Sequence, residues 1–123
     1  MNKLLERNRR PDISFNSNGT IRIAARVARM LSLLPGDAIN IAVTDGEYLL
    51  FAIRYQNVDC RYEAQCYRSK RGGGENYCAN SVRLCRALMK AVGAKSERVS
   101  YSAGEAIERD GIKYVPIITL HPL

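Results

Sequence analysis

The segment from Asn18 to Ile41 constrains the fold most, because it places a tight turn, an alternating strand, a helix and a second strand in close succession. Gly19 can adopt the positive φ of a tight turn, and Ile21 and Ile23 alternate with a charged residue. This alternation is typical of a strand with one buried face. The segment therefore predicts the second strand of a hairpin, beginning just after Gly19.

A short helix follows that strand. The apolar residues Val27, Leu31 and Leu34 recur at helical spacing, with charged residues off this stripe. Pro35-Gly36 predicts the end of the helix. Residues 38–43 then alternate again. The pattern predicts a short helix that leads directly into a strand.

A second hairpin completes this first unit. Asp45-Gly46 is a strong signal for a two-residue turn, and residues 48–53 form a nearly continuous apolar strand. The predicted order over residues 12–54 is hairpin, helix, hairpin. A unit of about 45 residues cannot easily bury its apolar face alone.

The rest of the chain can be interpreted as a diverged repeat of this unit. At a constant offset of 57, the residues Leu84, Arg86, Leu88 and Gly93 match Val27, Arg29, Leu31 and Gly36. Residues 65–68 can pair with residues 76–79 across a glycine-rich basic loop, and Asp110-Gly111 repeats the hairpin turn. Residues 98–101 and 112–120 predict the flanking strands, and Pro116 suggests an edge or bulged position.

We therefore expect one compact domain built from two units. Its predicted parts are a basic N-terminal arm (1–11), a first unit (12–54), a linker (55–60) and a second, diverged unit (61–123).

The order of motifs between Gly19 and Ala38 resembles a known family. It contains a turn glycine, an alternating strand, a helix of the form Val-Ala-Arg-Met-Leu and a Gly-Asp pair before the next strand. This order is similar to the AbrB/SpoVT (MazE-like) family of swapped-hairpin DNA-binding domains. The resemblance implies a mixed β fold with short helices, a swapped-hairpin β-barrel, here as a single-chain pseudo-dimer of two β-hairpin/helix/β-hairpin units. Arg29 stands where the family carries a DNA-facing arginine.

Charge indicates a polyanionic partner. The chain has 19 Lys and Arg against 12 Asp and Glu, a formal net charge of +7, and arginine suits bidentate contacts to phosphate. With the resemblance, this predicts a transcriptional regulator that holds duplex DNA through arginines on one face. The candidate nucleic-acid-binding residues are Arg9, Arg10, Arg22, Arg26, Arg29, Arg68, Lys70, Arg71, Arg83 and Arg86.

Other interpretations stay open at this stage. The charges can instead be solvated helix faces and an unstructured arm, and loop 69–75 can wrap DNA or be a simple hairpin tip. Tyr62, Tyr67 and Tyr77 interleave with arginines, which permits stacking on single-stranded bases, although cross-strand packing is the favoured interpretation. An antitoxin-like or other protein-interaction module without strong DNA binding is the alternative function. A barrel scaffold that has lost DNA binding is a third.

Neither a catalytic nor a metal site is expected. The four cysteines, Cys60, Cys66, Cys78 and Cys85, contain no Cys-x2-Cys pair, and His121 is the only histidine. We expect reduced, buried thiols, no cofactor and no enzymatic activity, and we assign the aspartates beside glycine to turns. With no long apolar stretch and a polar N-terminus, the sequence predicts a cytoplasmic protein without membrane contact, either alone or as a homodimer.

Overall fold

The computed structural model describes residues 11–54, 63–70, 75–120 and 122–123. Most of the predicted arm, the whole predicted linker and the candidates Arg9, Arg10 and Arg71 lie outside these residues. The described elements are, in chain order, β1 (Ile13–Asn16), β2 (Thr20–Ile23), α1 (Ala25–Met30), β3 (Ala38–Thr44), β4 (Glu47–Ile53), β5 (Tyr67–Arg68), β6 (Tyr77–Asn80), α2 (Val82–Ala91), β7 (Arg98–Ala103), β8 (Ile107–Arg109) and β9 (Ile112–Ile118).

The structure is mostly antiparallel β with two short helices among the described residues, and the sheet curls into half a barrel. Its strand order is β3-β4-β9-β7-β1-β2-β6-β5, with β8 paired to β9. An isolated antiparallel bridge between Ala38 and Gln65 joins β3 to the segment before β5. There Ile39 N donates to Ala64 O at 3.1 Å. Strands from the two halves of the chain are thus hydrogen-bonded to each other at several places.

The core lies on the inward face of the curled sheet. Ile21 and Ile23 are at most 1% exposed and Arg22 between them is exposed, as the alternation predicts. Gly19 has φ +101, and a Cβ on it would lie 2.5 Å from Asn80 Oδ1. Only glycine fits this first turn, because both its backbone angle and its contact with the neighbouring strand exclude a side chain.

Helix α1 ends earlier than the sequence predicts. Its last helical residue is Met30, and Ser32 has φ +52. Ser32 N donates to Arg29 O at 3.0 Å, and Leu33 N donates to Ala28 O at 2.9 Å. These two bonds are a Schellman motif, which a left-handed residue after the helix completes. Helix termination is thus complete before Pro35-Gly36, and Leu34 lies beyond the helix with 62% of its surface exposed rather than on the apolar stripe.

Helix α2 ends with the same motif, but it has ten residues where α1 has six. Gly93 has φ +69, and Ala94 N donates to Met89 O at 2.8 Å. The residue equivalent to Gly93 is therefore Ser32, and the predicted match of Gly93 to Gly36 is wrong. The offset of 57 relates the helix starts, where Ala24 and Ser81 are the N-caps, but not the helix ends.

Pro116 lies inside the sheet rather than on an edge strand. It is paired with Leu49 of β4, and β9 contacts β8 and β7 along its other side. Pro116 O accepts a hydrogen bond from Gly104 N at 2.9 Å, between the part of β9 that pairs with β8 and the part that pairs with β7. No ladder bond is required from its nitrogen at this change of partner, so proline is tolerated. None of the helices described here has the length and apolar character needed to cross a membrane.

Candidate nucleic-acid interface

The outward face of strands β7, β1, β2, β6 and β5 carries a row of small and polar residues with one arginine at its centre. Neighbouring pairs place Ser100, Ser14, Arg22, Cys78 and Tyr67 side by side across the five strands. Directly paired residues share a face of the sheet, with Cβ atoms about 5 Å apart. Arg22 and Tyr67 are exposed in this row, Ser100 and Cys78 are partly buried, and Ser14 beside Arg22 is buried. We call the outward side of these five strands the polar face.

Next to this row, two further pairs lie on the same face. Asn16 is paired with Arg98, and Thr20 is paired with Asn80. Arg98 and Asn80 are exposed. The polar face therefore offers guanidinium and amide groups to solvent, and the hydroxyl-bearing Thr20 is partly buried.

Arg98 is a basic residue of this face that sequence reasoning missed. It lines, with Arg22, Ser14, Ser69 and Asn76, a depression of about 320 Å³. The sequence treats Arg98 only as the start of a strand. The alternation of Arg98 with the buried Val99 was the available signal that its side chain points outward.

A second depression of about 350 Å³ holds Arg29 and Arg68. Arg29 Nη1 lies 3.0 Å from Glu75 Oε2, and both side chains are more than half exposed. Tyr77 lines this depression and also the one that contains Arg22, so the two lie next to each other. Arg29 and Arg68 thus share one depression, and Arg68, which is paired with Tyr77, lies on the opposite face of the sheet from Arg22.

Arg26 is held by acceptors near the ends of β1 and β7. Its guanidinium lies 3.1 Å from Asp12 Oδ2, 3.4 Å from Glu105 Oε1 and 3.2 Å from Ala103 O. Asp12 Oδ2 also accepts a hydrogen bond from Ala103 N at 2.8 Å. Arg26 therefore stabilises the pairing of β1 with β7, and its guanidinium is already occupied by these acceptors.

Arg83 lies away from the other candidates, beside a depression that also contains Ile39 and Asn40. Its Nη2 is 2.7 Å from Glu63 Oε1. Hydrogen bonds from Arg83 and then from Ser81 lower the pKa of Glu63, so this carboxylate stays ionised and paired with Arg83 near neutral pH. The remaining described candidates, Lys70 and Arg86, are exposed. Among the residues that the structure describes, Arg22, Arg68, Lys70, Arg86 and Arg98 form no salt bridge.

The tyrosines separate into a core residue and a surface residue. Tyr77 is 4% exposed, and its hydroxyl donates to Leu33 O at 3.1 Å. This is the packing role that the sequence favours for it. Tyr67 is 52% exposed beside Arg68, and Tyr62 lies outside the described residues. Stacking on a base by Tyr77 is incompatible with its burial.

Asp37 is used for structure. Its carboxylate accepts from Leu34 N at 2.9 Å and from Arg54 Nη1 at 2.7 Å, and its side chain is 3% exposed. Arg54 also donates to Leu31 O and Ser32 O, each at 2.8 Å, at the end of α1. Sequence reasoning did not single out Arg54, because its partners are distant in the chain. The turn assignment of Asp37 is consistent with these bonds.

The described cysteines are free thiols, and two of them are buried. Burial raises the pKa of Cys66 to about 12, with smaller contributions from Asp37 and Cys78. Burial also raises the pKa of Cys85. A thiol with so high a pKa is protonated and unreactive at neutral pH. In the described residues no three histidine, cysteine or acidic side chains are grouped as metal ligands.

Comparison with protein-family models, with curated proteins and with solved structures finds no match to this chain. The chemistry of the polar face is what indicates its ligand. Guanidinium groups bind phosphate or guanine, and asparagine and threonine side chains bind phosphate or base edges. The face is suited to a polyanion that also carries hydrogen-bonding groups.

Proposed function

We propose that this protein binds duplex DNA through the polar face and acts as a transcriptional regulator. The observation that carries the proposal is Arg22, which is exposed at the centre of that face without an ion pair among the described residues. Arg68 and Arg98 line the two adjoining depressions, and neither forms an ion pair with another described residue. A net charge of +7 adds attraction to phosphate over longer distances.

The shape of the sheet supports a duplex as the ligand. The sheet curls around the core, so its outward face is convex. A convex β surface can approach the major groove, which is about 12 Å wide and admits a two-stranded ribbon. In the proposed complex, Arg22, Thr20 and Asn80 face base edges, and Arg29, Arg68 and Arg98 hold phosphates. Contact with DNA replaces the carboxylate of Glu75 at Arg29 with a phosphate oxygen.

We also propose the finer architecture of a single-chain pseudo-dimer with exchanged hairpins, similar to the AbrB/SpoVT class. Two observations support it. Strand β1, before the first helix, pairs with β7, after the second helix. Reciprocally, Ala38 at the start of β3 bridges to Gln65, before the second helix. Each contact joins the hairpin that precedes one helix to the strand that follows the other.

The test is a titration of a short duplex with the purified protein over a series of salt concentrations. The variant Arg22→Ala/Arg98→Ala removes two exposed guanidiniums of the polar face, and Arg109→Ala is a matched control on β8. We expect the double variant to bind at least about tenfold more weakly and to reduce the salt slope by about one, because Arg22 faces a base edge and only the other arginine holds a phosphate, and each lost phosphate contact lowers the slope by about 0.9.

Arg109→Ala should change the affinity much less, since Arg109 is exposed on the strand that pairs with β9 rather than on the polar face. Equal losses in the double variant and in the control would contradict the assignment of the polar face. Tighter binding to a single strand of the same sequence would instead favour stacking, with Tyr67 as the exposed aromatic residue.

A second candidate function is a protein-interaction module of the antitoxin type. The outward side of β3, β4 and β9 favours it, because the rings of Phe51 and Tyr114 lie there with centroids 5.5 Å apart. Ile112 and Ile118 on the same strand are 42% and 40% exposed. Stable co-purification of a second small protein from native cells, together with no DNA binding at low salt, would select this function over the first.

A further inference from the structure

We infer that the DNA target of this protein is asymmetric, with no inverted repeat, and that one chain occupies it. The inference rests on the proposed function and concerns the sequence that the polar face recognises. Homodimers present the same residues on both sides of their axis, so their targets are palindromic. In this protein the two halves of the interface belong to one chain and differ in chemistry.

The difference is greatest where the two hairpins meet, at the pairing of β2 with β6. The outward residues of β2 are Thr20 and Arg22, and those of β6 are Cys78 and Asn80. Arg22 lies opposite Cys78, and Thr20 lies opposite Asn80. A guanidinium therefore has a thiol as its neighbour, and no second guanidinium occupies the corresponding place. The centre of the polar face cannot read both halves of a palindrome equally.

The flanks of this junction also differ. On the side of β2, strand β1 has four residues and is followed by β7, which contributes Arg98. On the side of β6, strand β5 has two residues and presents Tyr67 on the polar face, whereas Arg68, paired with Tyr77, belongs to the opposite face. Phosphate contacts on the two sides must therefore come from different positions of the fold.

The two helices also differ, in the surroundings of their corresponding arginines. Arg29 and Arg86 each lie five positions after the N-cap of their helix, Ala24 and Ser81. Arg29 is paired with Glu75 at 3.0 Å, whereas Arg86 has no ion pair in the part of the chain that the structure describes. Even the residues that correspond between the helices have different electrostatic surroundings.

The chemistry of the central residues indicates what each side reads. Arginine forms two hydrogen bonds with guanine, and asparagine forms two with adenine, in the major groove. Arg22 and Asn80 are diagonal neighbours across the strand pair, about 7–8 Å apart. We therefore propose that the target has a guanine that binds Arg22 and an adenine that binds Asn80, about two base steps apart. Neither base has a symmetry-related copy elsewhere in the site.

The experiment is selection of binding sites from a random duplex library, followed by measurement of protein-to-DNA stoichiometry on the selected site. The full-length protein is compared with Arg22→Ala and Asn80→Ala, and Asn40→Ala is the control, an exposed asparagine on β3. We expect a motif without an inverted repeat and one protein per site. Arg22→Ala should lose about 5- to 100-fold discrimination at one guanine only, and Asn80→Ala at one adenine only.

Three other outcomes are possible, and they distinguish a failure of the asymmetric target from a failure of DNA binding. A palindromic motif, with Arg22→Ala affecting two symmetric positions, would overturn the inference and show that two copies of the chain bind. Salt-dependent DNA binding without any enriched sequence would also overturn it, but would leave DNA binding intact. No binding to any duplex at low salt would overturn the proposed function, and the inference with it.

Discussion

At the scale of single residues, the arginines of this protein differ in what they contact. Arg26, Arg54 and Arg83 are held by carboxylates, and the first two of them fix the ends of strands or of helix α1. Arg22, Arg68 and Arg98 have no such partner among the described residues and line adjoining depressions. Charge composition treats both groups alike, and only the contacts separate arginines that stabilise the fold from those available to a ligand.

The buried thiol of Cys66 gives a prediction about pH. Its pKa is about 12 in the folded protein, against 9.0 for an ordinary thiol. Since the folded pKa is raised, the stabilisation is complete below pH 9 and is lost as pH rises toward the folded value. The difference in unfolding free energy between the wild type and Cys66→Ala should therefore fall by about 1.4 kcal/mol per pH unit above about pH 9.

The measurement is denaturant unfolding of both proteins between about pH 8 and about pH 11. Cys78→Ala is the control, because Cys78 lies on the polar face and is only partly buried. A difference for Cys66→Ala that stays constant over this range would contradict the assignment of its high pKa to burial.

At the scale of the elements, the two helices end with the same hydrogen-bond pattern but with different residues at the left-handed position. Helix α1 has Ser32 there, and helix α2 has Gly93. A left-handed conformation costs a residue with a Cβ atom about 1 kcal/mol more than it costs glycine. The serine therefore carries backbone strain that the glycine does not.

Exchanging these residues should change stability in opposite directions. We expect Ser32→Gly to raise the free energy of unfolding by about 0.5–1 kcal/mol and Gly93→Ser to lower it by about 1 kcal/mol. Neither substitution causes a steric clash, because a Cβ on Gly93 would have no atom within 4 Å. The change at Ser32 removes its side chain, whose hydroxyl accepts a hydrogen bond from Lys113 Nζ at 3.3 Å. Thermal and denaturant unfolding of the two variants measure both effects, and changes of the same sign would disprove the shared termination motif.

At the scale of the whole molecule, neither half of the chain contains its own complete sheet. Strand β1 lies between β2 and β7, and β9 lies between β4 and β7. Each of these two strands therefore has one neighbour from its own half of the chain and one from the other half. Separating the halves leaves apolar strand faces and unpaired backbone groups exposed to water.

We predict that fragments 1–58 and 59–123 do not fold when expressed separately, and that mixing them restores a cooperative unfolding transition. Circular dichroism during thermal unfolding of each fragment and of the mixture is the measurement. As a control, the full-length chain cut at the same place after folding should keep its transition. A fragment that unfolds cooperatively by itself, at a temperature near that of the intact protein, would contradict the dependence of one half on the other.

Much of the local structure of this protein could be predicted from its amino-acid sequence. Alternation around Arg22 predicted which residues face the core, and Asp45-Gly46 and Asp110-Gly111 predicted two hairpin turns, in which all four residues have positive φ. The existence of both helices was also predicted. These features follow from side-chain periodicity and from backbone preferences within a few residues, so a short stretch of sequence contains the information needed.

Contacts between residues far apart in the chain, by contrast, determine which strands of the two halves pair and which arginines remain available to bind a ligand. The pairing of β1 with β7, the carboxylate partners of Arg26 and Arg83, and the outward position of Arg98 all depend on residues far apart in the chain. Backbone hydrogen bonds are the same for every strand, so the local pattern does not specify a partner. The helix end at Ser32 was missed because Arg54, distant in the chain, donates to Leu31 O and Ser32 O there, while local propensity disfavours a left-handed serine. Of the two positions predicted for Pro116, an edge and a bulge, the strands on both sides exclude the edge.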